Sequence, residues 1–226
     1  MPSFLEAPVA GAYHVLTSLV TAIEPLTGSY AAVIAIVVCT LAVRLCLVPL
    51  SLRAHRGLRA RAELLPELKK LSDRHRGDPE RLQRELAKLQ AESGTSLFAG
   101  FLPTLAQMPF FWLMYTLFSR AVVAGESNQL ISGSLLGAPL GLHWPVLTGT
   151  PAFLVLAVLL AVVAWFSARL ALRQLDETAT PLSRRIARLL PYGTLLSAAF
   201  LPLAAGLYLL TTTAWTVVER TVLGGR

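Results

Sequence analysis

Hydrophobic residues form long blocks along this chain, and polar residues collect between the blocks. The blocks cover residues 30–50, 97–118, 150–170 and 186–222. Each block has about the length that crosses a bilayer as a helix, roughly 20 residues, or more. The last block has room for two short helices and is interrupted at Pro202, where a tight turn is expected. The pattern predicts an all-α integral membrane protein with five transmembrane helices.

Basic residues are distributed unevenly between these spans. With five crossings, eighteen of the twenty lysines and arginines fall on one side and only Arg120 on the other, while Arg44 lies within a span. Basic residues favour the cytoplasmic side, so we expect an external N-terminus and a cytoplasmic C-terminus. The predicted spans are 30–50, 97–118, 150–170, 186–201 and 203–222. The predicted connections are an extracytoplasmic segment 1–29, a cytoplasmic basic hairpin 51–96, an extracytoplasmic loop 119–149, a cytoplasmic loop 171–185 and a cytoplasmic tail 223–226.

The N-terminal segment contains a shorter amphipathic pattern at residues 8–24. This stretch is too short and too mixed in composition to span a membrane. Its apolar residues recur at helical spacing, which predicts an amphipathic helix on the outer surface, whereas the alternative is a loosely ordered tail. The residues of this stripe are Val9, Tyr13, Leu16, Val20 and Ile23.

The segment 51–96 reads as two helices separated by "GDP" at residues 77–79. Gly77 is expected to end the first helix, and Asp78 is expected to cap the second, with Pro79 at its first position. Leucines recur on one side of each helix, so the two are expected to form a basic hairpin. Its charges indicate either a solvated face that contacts anionic lipid or a landing platform for a partner. The candidate recruiting residues are Arg59, Arg61, Lys69, Lys70, Arg81 and Arg84.

Several polar side chains interrupt the apolar spans. Arg44 is the most unusual, because an arginine inside a membrane helix costs roughly 3 kcal/mol or more. It lies roughly 9 Å before the inner end of its span, so its side chain either faces a wet groove or snorkels to the headgroups. Polar residues at helical spacing share its face or lie on other spans at neighbouring depths. The candidate groove residues are Arg44, Thr40, Thr104, Gln107, Tyr208, Thr212, Trp215 and Glu219.

Composition narrows the possible chemistry. The chain is 54% hydrophobic and 15% charged, below the roughly 25% charged residues of soluble domains. No span carries an acidic residue away from its ends, and no phosphate loop, metalloprotease motif or nucleophile elbow is present. The histidines are scattered, and Cys39 and Cys46 are expected to act as small apolar side chains. We therefore expect no enzyme activity, metal, cofactor or nucleotide, and the net charge of +7 indicates topology rather than direct nucleic-acid binding.

Five segments of the chain resemble the YidC family of membrane-protein insertases. They are "VRLCLVPL", "PELKKL", "DPERLQRE", "AGFLPTLAQMPFFWLMY" and "LPLAAGLYLLTTTAWTVVE". Together the resemblance covers residues 30–222 in order. It implies a five-helix core and a groove that is open to the cytoplasm and to lipid but closed on the outer side. Within that groove, Arg44 matches the family's arginine, and Gln107 and Trp215 match polar positions.

The resemblance also implies partners and a cellular location. Newly made membrane proteins are the expected clients, received by the cytoplasmic hairpin, and the protein is expected in the bacterial plasma membrane. Association with a translocon or a ribosome stays open, although the short tail is not expected to tether a ribosome. The absence of a large outer domain resembles the short Gram-positive or actinobacterial form.

The chain departs from the family pattern at several positions. Thr95-Ser96 stands where Asn-Pro is frequent, and Phe101 stands where a cysteine is frequent. In the last span, Thr212-Thr213 replaces Ser-Asn, and Glu219 replaces glutamine. Glu219 either pairs with Arg44 or is an ordinary interfacial glutamate.

The resulting hypothesis is that Arg44 attracts an acidic flank of a client as the flank crosses the bilayer. Two other classes of function remain open. A channel or transporter would also have polar-lined helices, although no internal repeat is found. A membrane assembly partner without activity of its own is the other alternative.

Overall fold

The fold is described from a computed structural model of the chain. The described residues are 6–75, 77–78, 80–85, 88, 102–123, 125–143, 146–175 and 179–224, and the side chains of 53–70, 72–73, 102–107, 110, 146–147 and 223–224 are outside the description. The chain divides into two compact units. One unit combines Met1–Leu45 with Phe110–Arg226, and the other is Cys46–Pro109.

Helices make up most of the described chain. They are α1 (Glu6–Thr27), α2 (Ala31–Arg74), α3 (Leu102–Ser119), α4 (Pro151–Arg173), α5 (Pro181–Leu189), α6 (Gly193–Ala199) and α7 (Leu203–Gly224). Short 3-10 turns occupy Gly28–Tyr30, Gln129–Ser132, Val146–Gly149 and Leu190–Tyr192. Within the described residues, two helical segments are long and apolar enough to cross a membrane, Glu6–Leu52 and Pro151–Arg173. The chain is thus mainly helical and has the apolar helices of a membrane protein.

Two small hairpins interrupt the helical pattern between α3 and α4. Strands β1 (Val122–Val123) and β2 (Glu126–Ser127) pair antiparallel, as do β3 (Ser134–Leu135) and β4 (Ala138–Pro139). Leu136 and Gly137 turn the second hairpin, and both have positive φ, at 49° and 80°. Such a two-residue turn matches the twist of the strands it joins. The loop predicted at 119–149 therefore contains regular structure that the all-α prediction lacked.

The apolar stripe of α1 is buried in the protein. Val9, Tyr13 and Leu16 are each almost fully buried, and α1 contacts β1. The Tyr13 hydroxyl donates to the carbonyl of Ser127 and accepts from the N–H of Gln129, both at 3.4 Å. The helical spacing noted in the sequence therefore places these side chains against the hairpin segment.

The N-terminal end of α7 is tightly packed. Leu203 and Ala204 are completely buried, and their N–H groups donate to the carbonyls of Leu142 and Leu140, each at 3.0 Å. The first N–H groups of a helix have no partner within the helix, so these loop carbonyls satisfy them. One turn further, a Cβ at Gly206 would lie 2.7 Å from a Leu156 methyl group, so α7 and α4 approach closely there.

The second unit contains the predicted helix start at Asp78. The Asp78 carboxylate accepts from the N–H of Arg81 at 3.1 Å, and residues 80–85 are helical. This bond satisfies one of the free N–H groups at the helix start and confirms the predicted N-cap. α2 continues to Arg74, whereas the first span was predicted to end at residue 50.

Candidate functional site

Arg44 lies on α2 and is bonded to α7. Its Nε donates to the hydroxyl of Thr212 at 3.0 Å, and its Nη2 donates to the Thr212 carbonyl at 2.8 Å and to the Thr216 hydroxyl at 2.9 Å. Thr216 lies eight residues before the end of α7 at Gly224, which is about 12 Å along the helix. The guanidinium is therefore fixed on α7 at this depth. We call Arg44, Thr212 and Thr216 the Arg44 cluster.

The spacing of the two threonines explains how one side chain reaches both. Thr212 and Thr216 are four residues apart, so they lie one above the other on the same face of α7. The Thr216 hydroxyl also donates to the Thr212 carbonyl at 2.9 Å, which orients its oxygen lone pairs toward Arg44. A guanidinium has several donors in a fixed plane and can reach acceptors along one helical turn.

Thr216 was missing from the residues predicted to line the groove. The prediction followed spacings of four, three and four residues from Tyr208 through Thr212 and Trp215 to Glu219. Thr216 comes directly after Trp215, so it is not a member of that series. Its spacing of four residues from Thr212 could have shown that the two threonines share a face of the helix.

Neutral dipoles, rather than a paired carboxylate, compensate the charge of Arg44. Hydrogen bonds from a charged donor are about twice as strong as neutral ones. The described residues contain no ion pair between Arg44 and a carboxylate. The positive charge of the cluster is therefore not neutralised by a contacting acid in the described part of the chain.

Two further polar atoms of α7 are buried near this cluster. Trp215 Nε1 and Glu219 Oε1 are buried and have no hydrogen-bond partner within the described chain. Glu219 is in electrostatic range of Arg44 although the two form no ion pair. An unbonded buried polar atom is costly. Water could satisfy both atoms, as the acceptor for the Trp215 N–H and as a donor to the Glu219 carboxylate.

Thr40 and Tyr208 are not hydrogen-bonded members of the cluster, although Tyr208 is in electrostatic range of Arg44. Thr40 is 1% exposed, and its hydroxyl donates to the carbonyl of Ile36 at 2.6 Å on its own helix. Tyr208 is also 1% exposed, and its ring lies 5.9 Å from that of Phe111, measured between centroids. Thr40 makes no hydrogen bond to Arg44, so sharing a helix face with the arginine did not bring it into the cluster.

The remaining predicted groove and recruiting residues are described to different extents. The backbones of Thr104 and Gln107 are in α3, and their side chains lie outside the described residues, as do those of Arg59, Arg61, Lys69 and Lys70. Arg81 and Arg84 are exposed. They pair with Asp78 at 3.3 Å and Glu80 at 3.2 Å, and such exposed pairs contribute little to stability.

The comparison with known proteins identifies one family. The model of the 60Kd inner membrane protein family matches residues 22–225. The protein of Streptomyces avermitilis named membrane protein insertase YidC is 31% identical over 141 residues, which are 62% of this chain and 33% of that protein. The Clostridium perfringens protein of the same name is 32% identical over 122 residues, 54% of this chain and 51% of the relative.

A third relative of that name, from Aquifex aeolicus, is 38% identical over 89 residues, which are 39% of this chain and 17% of the relative. The matches thus span between about a sixth and about half of the length of these relatives. The family model extends over both compact units of the chain. The resemblance seen in the sequence is confirmed, and the chain belongs to the 60Kd inner membrane protein family together with these YidC proteins.

Proposed function

We propose that this chain is a membrane-protein insertase of the bacterial plasma membrane. It moves short polar flanks of client proteins across the bilayer through a hydrophilic groove that is open to the cytoplasm and to lipid. The names of its relatives support the activity. The observation that carries the proposal is the placement of Arg44, which is bonded to hydroxyl and carbonyl groups and has no contacting carboxylate among the described residues.

The proposed topology has five spans with an external N-terminus and a cytoplasmic C-terminus. Two helical segments have the length and apolarity of spans, and α3, residues 186–201 and α7 are the proposed others. The threonines and Glu219 lower the hydropathy of α7. That loss is expected of a span whose polar face borders a groove. The basic hairpin within 51–96 is the proposed site of client recruitment.

The physical step assigned to Arg44 is attraction of an acidic flank. A charged residue at the centre of a bilayer costs several kcal/mol, which slows the crossing of any polar flank. A fixed cation partway across lowers that cost for a carboxylate, since the attraction is stronger at low effective dielectric than in water. The dipoles that hold Arg44 leave its net charge available to the client.

The driving force is the partitioning of the client's apolar segment into lipid. This segment enters the bilayer beside the groove and gains free energy for each apolar group removed from water. The membrane potential adds about 2.3 kcal/mol per charge per 100 mV for an acidic flank that moves outward. Neither source requires a nucleotide.

Insertion into liposomes tests the role of Arg44. The purified chain is reconstituted with a small single-span client that has two aspartates in its translocated flank, and protease protection measures insertion. We expect Arg44→Ala to lower insertion at least tenfold and Arg44→Lys to retain more than a third of it, because lysine keeps the charge. A matched client with two asparagines distinguishes the loss of the Arg44 charge from misfolding of the variant. We expect this client to insert equally well with all three proteins.

Three outcomes would contradict the proposal. If Arg44→Ala inserts the aspartate client as well as the unmodified chain, the electrostatic role of Arg44 is wrong. If the unmodified chain inserts neither client, the insertase function itself is wrong. Solute flux through the vesicles without any client would instead indicate a channel or transporter.

A further inference from the structure

Five exposed arginines surround the junction of α4 and α5. α4 ends at Arg173 and α5 begins at Pro181, and the two helices pack against each other on either side of this short connection. Their joined ends must therefore lie side by side. Since α5 is about 14 Å long, all of these arginines lie within one narrow layer. We call them the interfacial arginine patch: Arg169, Arg173, Arg184, Arg185 and Arg188.

α5 presents three different faces, as its sequence dictates at 100° per residue. Ser183 and Ala187 form a face of small residues, and both are half-buried. A second face is apolar and open, with Leu182 65% exposed and Ile186 51% exposed. The third face carries the three arginines of this helix. A helix with unpacked apolar and cationic faces is suited to the boundary between acyl chains and headgroups.

α4 supplies an aromatic anchor at the same end. Trp165 and Phe166 are 42% and 47% exposed, and their rings meet edge to face at 4.9 Å between centroids. The Arg169 guanidinium carbon lies 4.0 Å from the centroid of the Trp165 ring, which is a cation–π contact. Exposed tryptophans next to basic residues mark the interface of membrane proteins. The contact therefore fixes one cation of the patch beside an exposed aromatic side chain.

We propose that the interfacial arginine patch binds the headgroups of anionic phospholipids in the cytoplasmic leaflet. Arginine donates to phosphate through two parallel hydrogen bonds. In the described part of the chain, no carboxylate forms an ion pair with Arg169, Arg185 or Arg188. The connection also contains Asp176 and Glu177, which lie outside the described residues.

The apolar face decides between possible anionic partners. Leu182 and Ile186 lie beside the arginines on α5, so a ligand must cover both kinds of surface. A phospholipid does so, because its phosphate meets the arginines while its acyl chains meet the leucine and isoleucine. A nucleic acid would satisfy the charges and leave the apolar side chains in water. The assignment to the cytoplasmic leaflet rests on the topology proposed above, whereas lipid binding itself does not.

Lipid selectivity of the full chain tests this site without any client. The protein is placed in phosphatidylcholine vesicles that contain spin-labelled phosphatidylglycerol or spin-labelled phosphatidylcholine. Electron spin resonance then gives the ratio of the two association constants. We expect the unmodified chain to prefer phosphatidylglycerol. The triple variant is Arg169→Gln, Arg185→Gln, Arg188→Gln, and each arginine removed should lower the ratio of association constants roughly fivefold. The lysine triple at the same positions keeps the charge and should retain most of the preference.

A second triple removes the same charge from exposed positions outside the patch: Arg74→Gln, Lys88→Gln, Arg220→Gln. It should change the ratio less than twofold, because it leaves the patch intact. For the unmodified chain, 1 M NaCl should abolish most of the preference, since it shortens the screening length to about 3 Å.

If both glutamine triples lose the preference for phosphatidylglycerol equally, the attraction is spread over all basic residues and the proposed site is wrong. An unmodified chain without preference would do the same. Binding of ribosomal RNA that is lost in the patch triple while lipid preference stays unchanged would assign the patch to nucleic acid. Because client insertion is not measured, these outcomes are independent of the test of Arg44.

Discussion

The two halves of α7 have opposite surroundings. In the N-terminal half, Leu203 and Ala204 are fully buried, and the helix start is bonded to loop carbonyls. In the C-terminal half, Thr216 and Trp215 are only half-buried, and hydroxyl groups bond an arginine from another helix. One helix therefore changes from close apolar packing to a polar contact within about three turns. The proposed groove requires such a closed end and such a polar end.

The largest expected effect comes from forcing open the packed half. Gly206→Leu places a side chain where Leu156 already lies 2.7 Å from a Cβ position. Overpacking of this kind costs about 1–3 kcal/mol. We expect a clearly lower melting temperature in detergent. Gly11→Leu is the matched control, because no atom lies within 4 Å of its Cβ position and it should melt within a few degrees of the unmodified chain. If Gly206→Leu and the unmodified chain melt at the same temperature, the N-terminal half of α7 is not closely packed.

A smaller effect is expected in the polar half, from Thr216→Val. This change removes one of three hydrogen bonds to Arg44 and keeps the side-chain shape. A hydrogen bond to a charged group contributes about 1.5–3 kcal/mol, and part of this is regained from water in an open site. We expect insertion of the aspartate client to fall about threefold to tenfold.

Thr213→Val is the control for that measurement. In the described chain, the Thr213 hydroxyl bonds only to carbonyls of its own helix, those of Leu209 and Leu210. It should leave insertion within twofold of the unmodified chain. If both valine variants lose activity equally, the contact of Thr216 with Arg44 has no special role.

Glu219→Gln should have a still smaller effect and the opposite sign. Glu219 is in electrostatic range of Arg44 without contacting it, so its charge partly offsets the attraction for an acidic flank. Removing that charge should raise insertion of the aspartate client up to about twofold, since screening weakens such distant pairs. The asparagine client should not respond. A loss of insertion with both clients would assign Glu219 a structural role instead.

The smallest effect is expected from Tyr13→Phe, where α1 meets the hairpin segment. Both hydrogen bonds of the Tyr13 hydroxyl are long, at 3.4 Å, and bonds weaken with distance. We expect a loss of stability below about 1 kcal/mol, measured as a small shift of the denaturation midpoint in detergent. A shift as large as that of Gly206→Leu would mean that polar contacts, rather than packing, hold α1 against the hairpin segment.

The sequence predicted the polar face of the last span because helical spacing alone determines which residues share a face. It did not determine which helix meets that face. Thr40 shares a face with Arg44, yet it bonds within its own helix, while Thr212 and Thr216 receive the guanidinium. Contacts between residues more than 160 positions apart depend on tertiary packing, which periodicity does not contain.

The hairpins between α3 and α4 were missed for a different reason. Turns with positive φ at both central positions usually carry Asn-Gly or Asp-Gly. Here the turn is Leu136-Gly137, so the leucine adopts a conformation that is rare for its type. Its local sequence lacks the Asn-Gly or Asp-Gly pair that indicates such a turn, and the surrounding structure imposes the conformation on Leu136.

The capping of α7 by the carbonyls of Leu140 and Leu142 has a consequence for sequence variation. Most helices are capped by a serine, threonine, aspartate or asparagine side chain, which a single substitution removes. A backbone cap survives many substitutions, because every residue has a carbonyl. It does not survive a change in spacing, since one inserted or deleted residue moves both acceptors at once. The cap alone should therefore restrict the length of the segment before α4 more than the types of its residues.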